Sequence, residues 1–482
     1  MYIAIGNMIT SSSQMNGAAA SGGGGFENVY SMAFDGVDDF INCGAATYLD
    51  GLTTATISLW VQPLTTGITD VIRRGNTSSS DIRIWIYPSS DRIDFGIGSS
   101  ICRTTTTTLN VGTWYHIYAC YDKDLNNGKD MILFVDGVEQ AATNTNATIA
   151  TGTEDLIIGE NYYNSNCKVD EVALWTTDQR AEVSTVYNSG VPNNLDDLTT
   201  PPTAWYRMGE NGVYKSPQWL LPENSNKDKV SNYSFEFDGI NDQISLPDIP
   251  FLRAGGQNFS ISAWVYHTAI GQGGYFGSRI APSSTNTINF YRNTNGSAVL
   301  LINNSSTGNI ELRSSNSSIT TNNWHHVVAT FDGTQTDAAD RLNIYVDGVL
   351  DNGYQSGTGT NLPSGSTGIY NFLGRVFLGV RQTGKIDNLA IWDSTLTAGN
   401  VTTLYNSGSP VDISTLSPTA GWKLGEDATF STDWTIPDSI GSFDGTSANM
   451  TIEDRVGEAP NSTSNSLSYN MDEVDRETDV PS

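Results

Sequence analysis

Lys168-Val169-Asp170-Glu171-Val172-Ala173-Leu174-Trp175, running on to Tyr187-Asn188-Ser189-Gly190, is written a second time as Lys385-Ile386-Asp387-Asn388-Leu389-Ala390-Ile391-Trp392, running on to Tyr405-Asn406-Ser407-Gly408. In both copies apolar residues alternate around an Asp at one fixed place, which is the period of a strand. After the Trp the apolar residues fall at helical spacing, Val183, Val186 and Tyr187 in one copy and Val401, Leu404 and Tyr405 in the other. Thr177 and Thr397 stand where an N-cap is expected, and Gly190 and Gly408 where a helix stops. A strand feeding a short helix that closes a domain is therefore present twice.

Other landmarks repeat in the same order. Tyr30-Ser31-Met32-Ala33-Phe34-Asp35-Gly36 returns as Tyr233-Ser234-Phe235-Glu236-Phe237-Asp238-Gly239, and Ile57-Ser58-Leu59-Trp60-Val61 as Ile261-Ser262-Ala263-Trp264-Val265. Trp114-Tyr115-His116 matches Trp324-His325-His326, and Val135-Asp136-Gly137 matches Val346-Asp347-Gly348, an Asp-Gly hairpin signal. Trp205 and Trp422 open a last strand in each copy, followed by Trp219 with Pro222-Glu223 and Trp434 with Pro437-Asp438. Many short strands with regular turn signals predict a two-sheet sandwich, and two sets predict two sandwiches.

The composition agrees. The 482 residues include 47 Gly and 16 Pro, aromatic residues make up 10% and charged ones only 16%, so hydroxyl and amide groups carry the polarity. A formal net charge of −28, from 24 basic and 52 acidic residues, argues against binding to nucleic acid or to an anionic membrane surface. No run of about 20 apolar residues suggests a transmembrane span. Met1 to Ile9 is apolar but short and lacks a positive flank, so it reads as an arm and not as a secretion signal. Cys43, Cys102, Cys120 and Cys167 all lie in the first copy, and without a Cys-x-x-Cys pair they read as free thiols.

Together Phe-Asp-Gly-x-x-Asp, Ile-Ser-x-Trp-Val, Trp-x-His, Val-Asp-Gly and the closing Asp-to-Trp strand resemble the LamG-like branch of the concanavalin A-like lectin/glucanase jelly rolls. The resemblance covers roughly residues 28 to 428 and implies an all-β protein of two tandem jelly-roll sandwiches with extended N- and C-terminal arms. The expected division is an arm over 1–27, jelly roll 1 over 28–214, a linker over 215–230, jelly roll 2 over 231–428 and an acidic tail over 429–482. In the tail Asn449-Met450…Asp454-Arg455…Pro460 returns as Asn470-Met471…Asp475-Arg476…Pro481 at a constant step of 21 residues. Acidic and poor in apolar residues, this tail is expected to lack a fold of its own and to carry two docking peptides through Asp454, Arg455, Pro460, Asp475, Arg476 and Pro481.

Four kinds of site come into question. Glycan hydrolases of this fold place two carboxylates about 5.5 Å apart from a Glu-x-Asp-x-Glu strand. The only such string, Glu473-Val474-Asp475-Arg476-Glu477, lies in the tail, so no catalysis is expected. His116 and His326 match in position and read as packing or a strand-to-strand hydrogen bond. The resemblance implies one structural Ca²⁺ per jelly roll, on Asp35 and Asp170 in the first and on Asp238 and Asp387 in the second; the alternative is that Asp35 and Asp238 only shape an Asp-Gly turn. For glycan binding the candidates are Trp85 and Tyr87, which share one strand face, and Tyr291 and Arg292 at the corresponding place.

Two functional classes follow. The LamG-like domains combined with Asn465-Ser466-Leu467-Ser468-Tyr469-Asn470-Met471 resemble structural proteins of marine tailed phages. That implies a non-enzymatic virion protein of fibre or decoration type, a homo-oligomer assembled in the host cytoplasm and exposed on the particle surface. Its arm and tail would contact other virion proteins, and its lectin-like domains host-surface glycans. The alternative is a bacterial surface lectin or adhesin exported without a cleaved signal.

Overall fold

The computed structural model describes residues 26–75, 81–104, 107–125, 127–152, 154–159, 165–280, 285–365, 369–377, 379–462 and 464–482. The arm expected over 1–27 lies outside them except for its last two residues. Two antiparallel sandwiches are present, as expected, and among the described residues no helix is long and apolar enough to cross a membrane.

Each sandwich is built around the phrase that is written twice. Asn166–Trp175 is a central strand, flanked by Thr54–Pro63 on one side and by Ser31–Asp35 on the other. Thr383–Trp392 sits in the same way between Asn258–His267 and Ser234–Asp238. Val169, Val172 and Leu174, like Ile386, Leu389 and Ile391, point into cores where they are fully buried. Both strands carry a bulge after the Asp, with Glu171 and Asn388 at φ 48° and 43°, which turns the residues beyond it to the opposite pleat.

The helices that follow are Val183–Tyr187 and Ala398–Tyr405. Thr397 caps the second through a reciprocal bond with Asn400, as expected. Thr177 does not cap the first, which is preceded by a 3-10 turn over Arg180–Glu182. Both helices end on an Asn, not on the Gly. Asn188 and Asn406 take the left-handed conformation, at φ 46° and 44°, which Asn tolerates better than other side chains.

The last fifty residues depart from expectation most. They form no free tail, and residues 215–230 form no linker. Gln218–Leu221 is a strand that pairs with Ser466–Tyr469, which pairs in turn with Phe40–Asn42 of the first sandwich. Arg476–Glu477 pairs with Ser31–Asp35. In the second sandwich Trp434–Ile436 pairs with Gly445–Ala448, which pairs with Gln243–Leu246, and Arg455–Val456 pairs with Ser234–Asp238. The second sandwich is therefore inserted within the first, between Leu221 and Ser466. The 21-residue repeat is the closing element of two nested sandwiches.

The side chains of that repeat are used accordingly. Arg455 lies 4.4 Å over the Trp434 ring and Arg476 lies 4.8 Å over Trp219, each Trp being buried. Trp434 Nε1 donates to Thr451 O at 2.7 Å, and Trp219 Nε1 to Asp472 O at 2.8 Å. Asp454 and Asp475 close capping boxes with Thr451 and Asp472. Pro460 and Pro481 are buried. The six residues expected to dock on a partner are thus spent inside this chain, because each stacked Arg and each closing strand covers an edge that would otherwise be open.

A chain ending at residue 463 should lose amide protection in Ser31–Asp35 and Phe40–Asn42 while Ser234–Asp238 keeps it, measured by hydrogen exchange. Equal loss in both would contradict the nested arrangement. Trp219→Ala should cost the outer sandwich about 3–5 kcal/mol in thermal or denaturant unfolding.

Candidate functional site

The repeated Asp is the first candidate. Asp170 and Asp387 are fully buried in the central strands. Asp170 accepts from Glu171 N at 2.8 Å and from Asn28 Nδ2 at 2.8 Å. Asp387 accepts from Asn388 N at 2.8 Å and from Ser231 Oγ at 2.6 Å. Beside each stands a Glu that holds the start of the opening strand. Glu210 accepts from Val29 N at 2.7 Å and Tyr30 N at 2.8 Å, and Glu426 from Asn232 N at 2.5 Å and Tyr233 N at 3.0 Å. The first sandwich adds Glu171, bonded to Trp205 Nε1 at 2.6 Å and Arg207 Nε at 3.1 Å, where the second has Asn388.

The paired calcium ligands are not brought together. Asp35 is in register with Asn166 and Asp238 with Thr383, each four positions from the buried Asp, a separation of about 13 Å at strand rise. Asp35 and Asp238 instead shape their turns, accepting from Val37 N at 2.6 Å and Ile240 N at 2.7 Å. The turn role weighed for these two Asp residues is thus present, and Asp35 also stands within reach of Asp38 and Asp39 in a group of carboxylates able to hold an ion.

The candidate glycan residues are placed differently from expectation. Trp85 and Tyr87 do share the outer face of Ile82–Tyr87. Arg83, however, lies 4.2 Å over the Trp85 ring and Arg92 lies 3.5 Å over Tyr87, so the faces a sugar would stack on are covered. Tyr291 is buried in a cluster with Val299, Leu301, Val376 and Val380. Arg292 is buried too, donating through Nε to Ile319 O at 3.1 Å and also to Gly271 O. His116 and His326 bond Ser58 and Ser262 at 2.8 and 2.7 Å on the neighbouring strand, as the sequence suggested. Burial pushes them down to about 3 and about 4, so they are neutral at physiological pH. The four cysteines are free and buried, their thiols pushed up by desolvation.

A cleft of about 490 Å³ between the two sandwiches was not anticipated. From the first sandwich it is lined by Phe40, Asn42, Tyr48 and Asp155, and Tyr469 comes from the closing strand. The second sandwich contributes Glu236, Lys385, Glu453, Arg455 and Glu458. Phe40 and Tyr469 are cross-strand partners with their rings stacked at 4.9 Å and 10°. Asn42 Nδ2 donates to Asp155 Oδ2 at 2.8 Å, and Lys385 pairs with Glu458. Burial pushes the Tyr469 phenol up to about 12. Aromatic edge, amide and carboxylates thus face one space, a donor and acceptor set suited to hydroxyl groups.

The buried carboxyls have a consequence for stability. Desolvation lifts Asp387 well above the usual carboxylate range, and Glu426 rises to about 7. A free Glu titrates near ~4.3. Between those values the folded state holds more protons than the unfolded one, so stability is greatest at the acidic end and falls as pH rises through about 7. Glu426→Gln keeps an oxygen for the Asn232 and Tyr233 amides and should flatten that slope in melts taken from pH 5 to 8. An unchanged slope would count against the assignment.

No curated protein matches the chain. Among solved structures the likenesses include the mouse laminin α1 chain domains LG4-5, at 13% identity over 78% of this chain and 91% of that one, with a TM-score of 0.25. Another is the SAP-like pentraxin of Limulus polyphemus, at 15% identity over 44% and 94%, TM-score 0.29. A third is the Ruminococcus gnavus IT-sialidase CBM40 bound to α2,3 sialyllactose, at 13% identity over 36% and 95%, TM-score 0.30. The family described as the concanavalin A-like lectin/glucanases superfamily matches residues 35–182 and 238–402, one span in each sandwich and well over half of the sequence. With both sandwiches matched, the chain belongs to the concanavalin A-like lectin/glucanase superfamily, in its laminin G-like branch.

Proposed function

We propose that the protein is a non-enzymatic, glycan-binding structural protein of a tailed-phage particle, of fibre or decoration type, exposed on the particle surface. The observation that carries the glycan reading is the cleft, where the Phe40–Tyr469 pair stands beside Asn42, Asp155 and Asn465. Family membership supports it, since lectins are among that family's members. A structural role draws support from the polar, acidic body and from strand edges closed by the chain itself.

The non-enzymatic reading rests on the one Glu-x-Asp-x-Glu string. Glu473–Asp475 is a 3-10 turn, so the strand alternation that would align two carboxylates is missing. Glu477 is held by Lys168 at 2.6 Å. The second reading, a bacterial surface lectin, draws on the same cleft and differs only in where the protein resides.

Purified particles analysed by mass spectrometry should contain the chain beside capsid and tail proteins; finding it on uninfected cells would favour the surface lectin. On a glycan array the whole chain should bind at least one oligosaccharide class. Tyr469→Ala, which removes half of the stacked pair, should weaken that binding by about fivefold, given about 1 kcal/mol for an aromatic contact. A flat array would sink the glycan reading.

A further inference from the structure

Several arginines on the sheet faces of this acidic chain are neutralised by a carboxylate. Arg83 pairs with Asp70 at 2.9 Å, Arg103 with Asp94 at 2.8 Å, and Arg313 with Glu311. Arg292, Arg341, Arg455 and Arg476 donate to backbone carbonyls without a salt bridge, and Arg279, Arg375 and Arg381 likewise have none among the described residues. These last three nevertheless converge on the outer side of the ten-stranded sheet of the second sandwich. Arg375 and Arg381 face each other across an isolated β-bridge, and Arg279 is opposite Tyr370 on adjacent strands.

Aromatic rings fill the space between them. The Arg279 guanidinium lies 4.7 Å from the Phe377 ring centre and 5.3 Å from that of Tyr370. Arg375 lies 5.0 Å from Phe372, which packs on Phe377 at 5.5 Å. Neutral oxygens meet part of the donor set: Arg375 reaches Gln243 Oε1 at 2.7 Å, and Arg381 the Asn241 carbonyl at 3.1 Å. The nearby Asp242 carboxylate turns away to accept from Asp238 N at 2.8 Å. Arg279 Nε is buried without an acceptor. Burial first, then the charges of Arg381 and Arg279, hold Arg375 below the usual guanidinium range.

Three cations gathered without a counter-charge, one with an idle buried donor, are unfavourable unless an anion completes them. Tyr370, 45% exposed, leaves the group open to solvent. We propose that Arg279, Arg375 and Arg381 bind the carboxylate or sulfate of an acidic sugar. The fork of a guanidinium matches either group through two parallel hydrogen bonds. The inference rests on the glycan reading but not on the cleft, whose lining shares none of these residues. The group lies on the second sandwich. At the corresponding place the first has Glu160-Asn161-Tyr162-Tyr163-Asn164, without arginine and outside the described residues.

The test is calorimetric titration of the full chain with an oligogalacturonate, a sulfated galactan oligosaccharide and a neutral galactan of equal length, at low and high salt. One acidic oligosaccharide should bind about tenfold or more tighter than the neutral one and weaken as salt rises. Which of the two binds separates a carboxylate from a sulfate ligand. Arg279→Gln and Arg381→Gln should each cost about tenfold while the melting temperature stays unchanged. Acidic binding untouched by both substitutions would overturn the proposal. So would equal affinity for neutral and acidic oligosaccharides, a result that leaves the glycan reading standing, whereas failure of all three together with a flat array would remove both.

Discussion

An open strand edge is the constraint on which the rest of this structure depends. Ser31–Asp35 and Ser234–Asp238 each have the central strand on one side only, and a row of backbone donors and acceptors left free on the other side invites pairing with another chain. Two-residue strands, Arg476–Glu477 and Arg455–Val456, cover those edges. Strands so short cannot hold themselves, and each is fixed by an Arg stacked on a buried Trp. Ser31 Oγ and Ser234 Oγ add bonds to the Asp479 and Glu458 carbonyls just beyond. The carboxyls of Glu210 and Glu426 fasten the same opening strands at their starts. Each edge is therefore held at both ends by groups that are identical in kind in the two sandwiches.

Nesting follows from where the closers lie. In the inner sandwich the hairpin strand Trp434–Ile436 runs to its closer within a few turns. In the outer one the same path is interrupted after Leu221 by the whole inner sandwich. The correspondence survives in detail. Glu223 bonds Trp205 N at 3.0 Å as Asp438 bonds Gly421 N at 2.9 Å, and Asn465 bonds Glu223 N at 3.0 Å as Asp444 bonds Asp438 N at 2.9 Å. One sandwich therefore sits in a loop of the other at the point between those matched partners.

The sequence showed the sandwiches because strand period and Asp-Gly turns are local signals. It also showed both small repeats. Their meaning was not legible, because a constant 21-residue step looks like a tandem motif whether or not the copies serve one body. Trp219 and Asp472, which bond directly, are separated by the entire insert, so local polarity suggested a disordered tail. The pairing of Asp35 with Asp170 at one ion is not met for a different reason. It matched Asp to Asp without the register that places Asp35 beside Asn166. The alternation of Trp85 and Tyr87 was read correctly, but the arginines that cover them come partly from the next strand, which a single-strand pattern does not reveal. The cleft had no local signature, since Phe40 and Tyr469 meet only through the nested closure.

That closure ties recognition to folding. Tyr469 is at once a residue of the strand that completes the outer sheet and half of the aromatic pair in the cleft. The cleft cannot form until the inner sandwich has been made and the chain has returned, since its far wall is built from Glu236, Lys385 and Glu453 of that inner sandwich. Anything that occupies it binds only the closed form and therefore shifts the closing equilibrium toward that form by mass action. The arginine group on the inner sandwich is not coupled in this way, because all of its residues come from one uninterrupted body. Two surfaces with different dependence on closure thus coexist in one chain, and only one of them reports that the outer sandwich is complete.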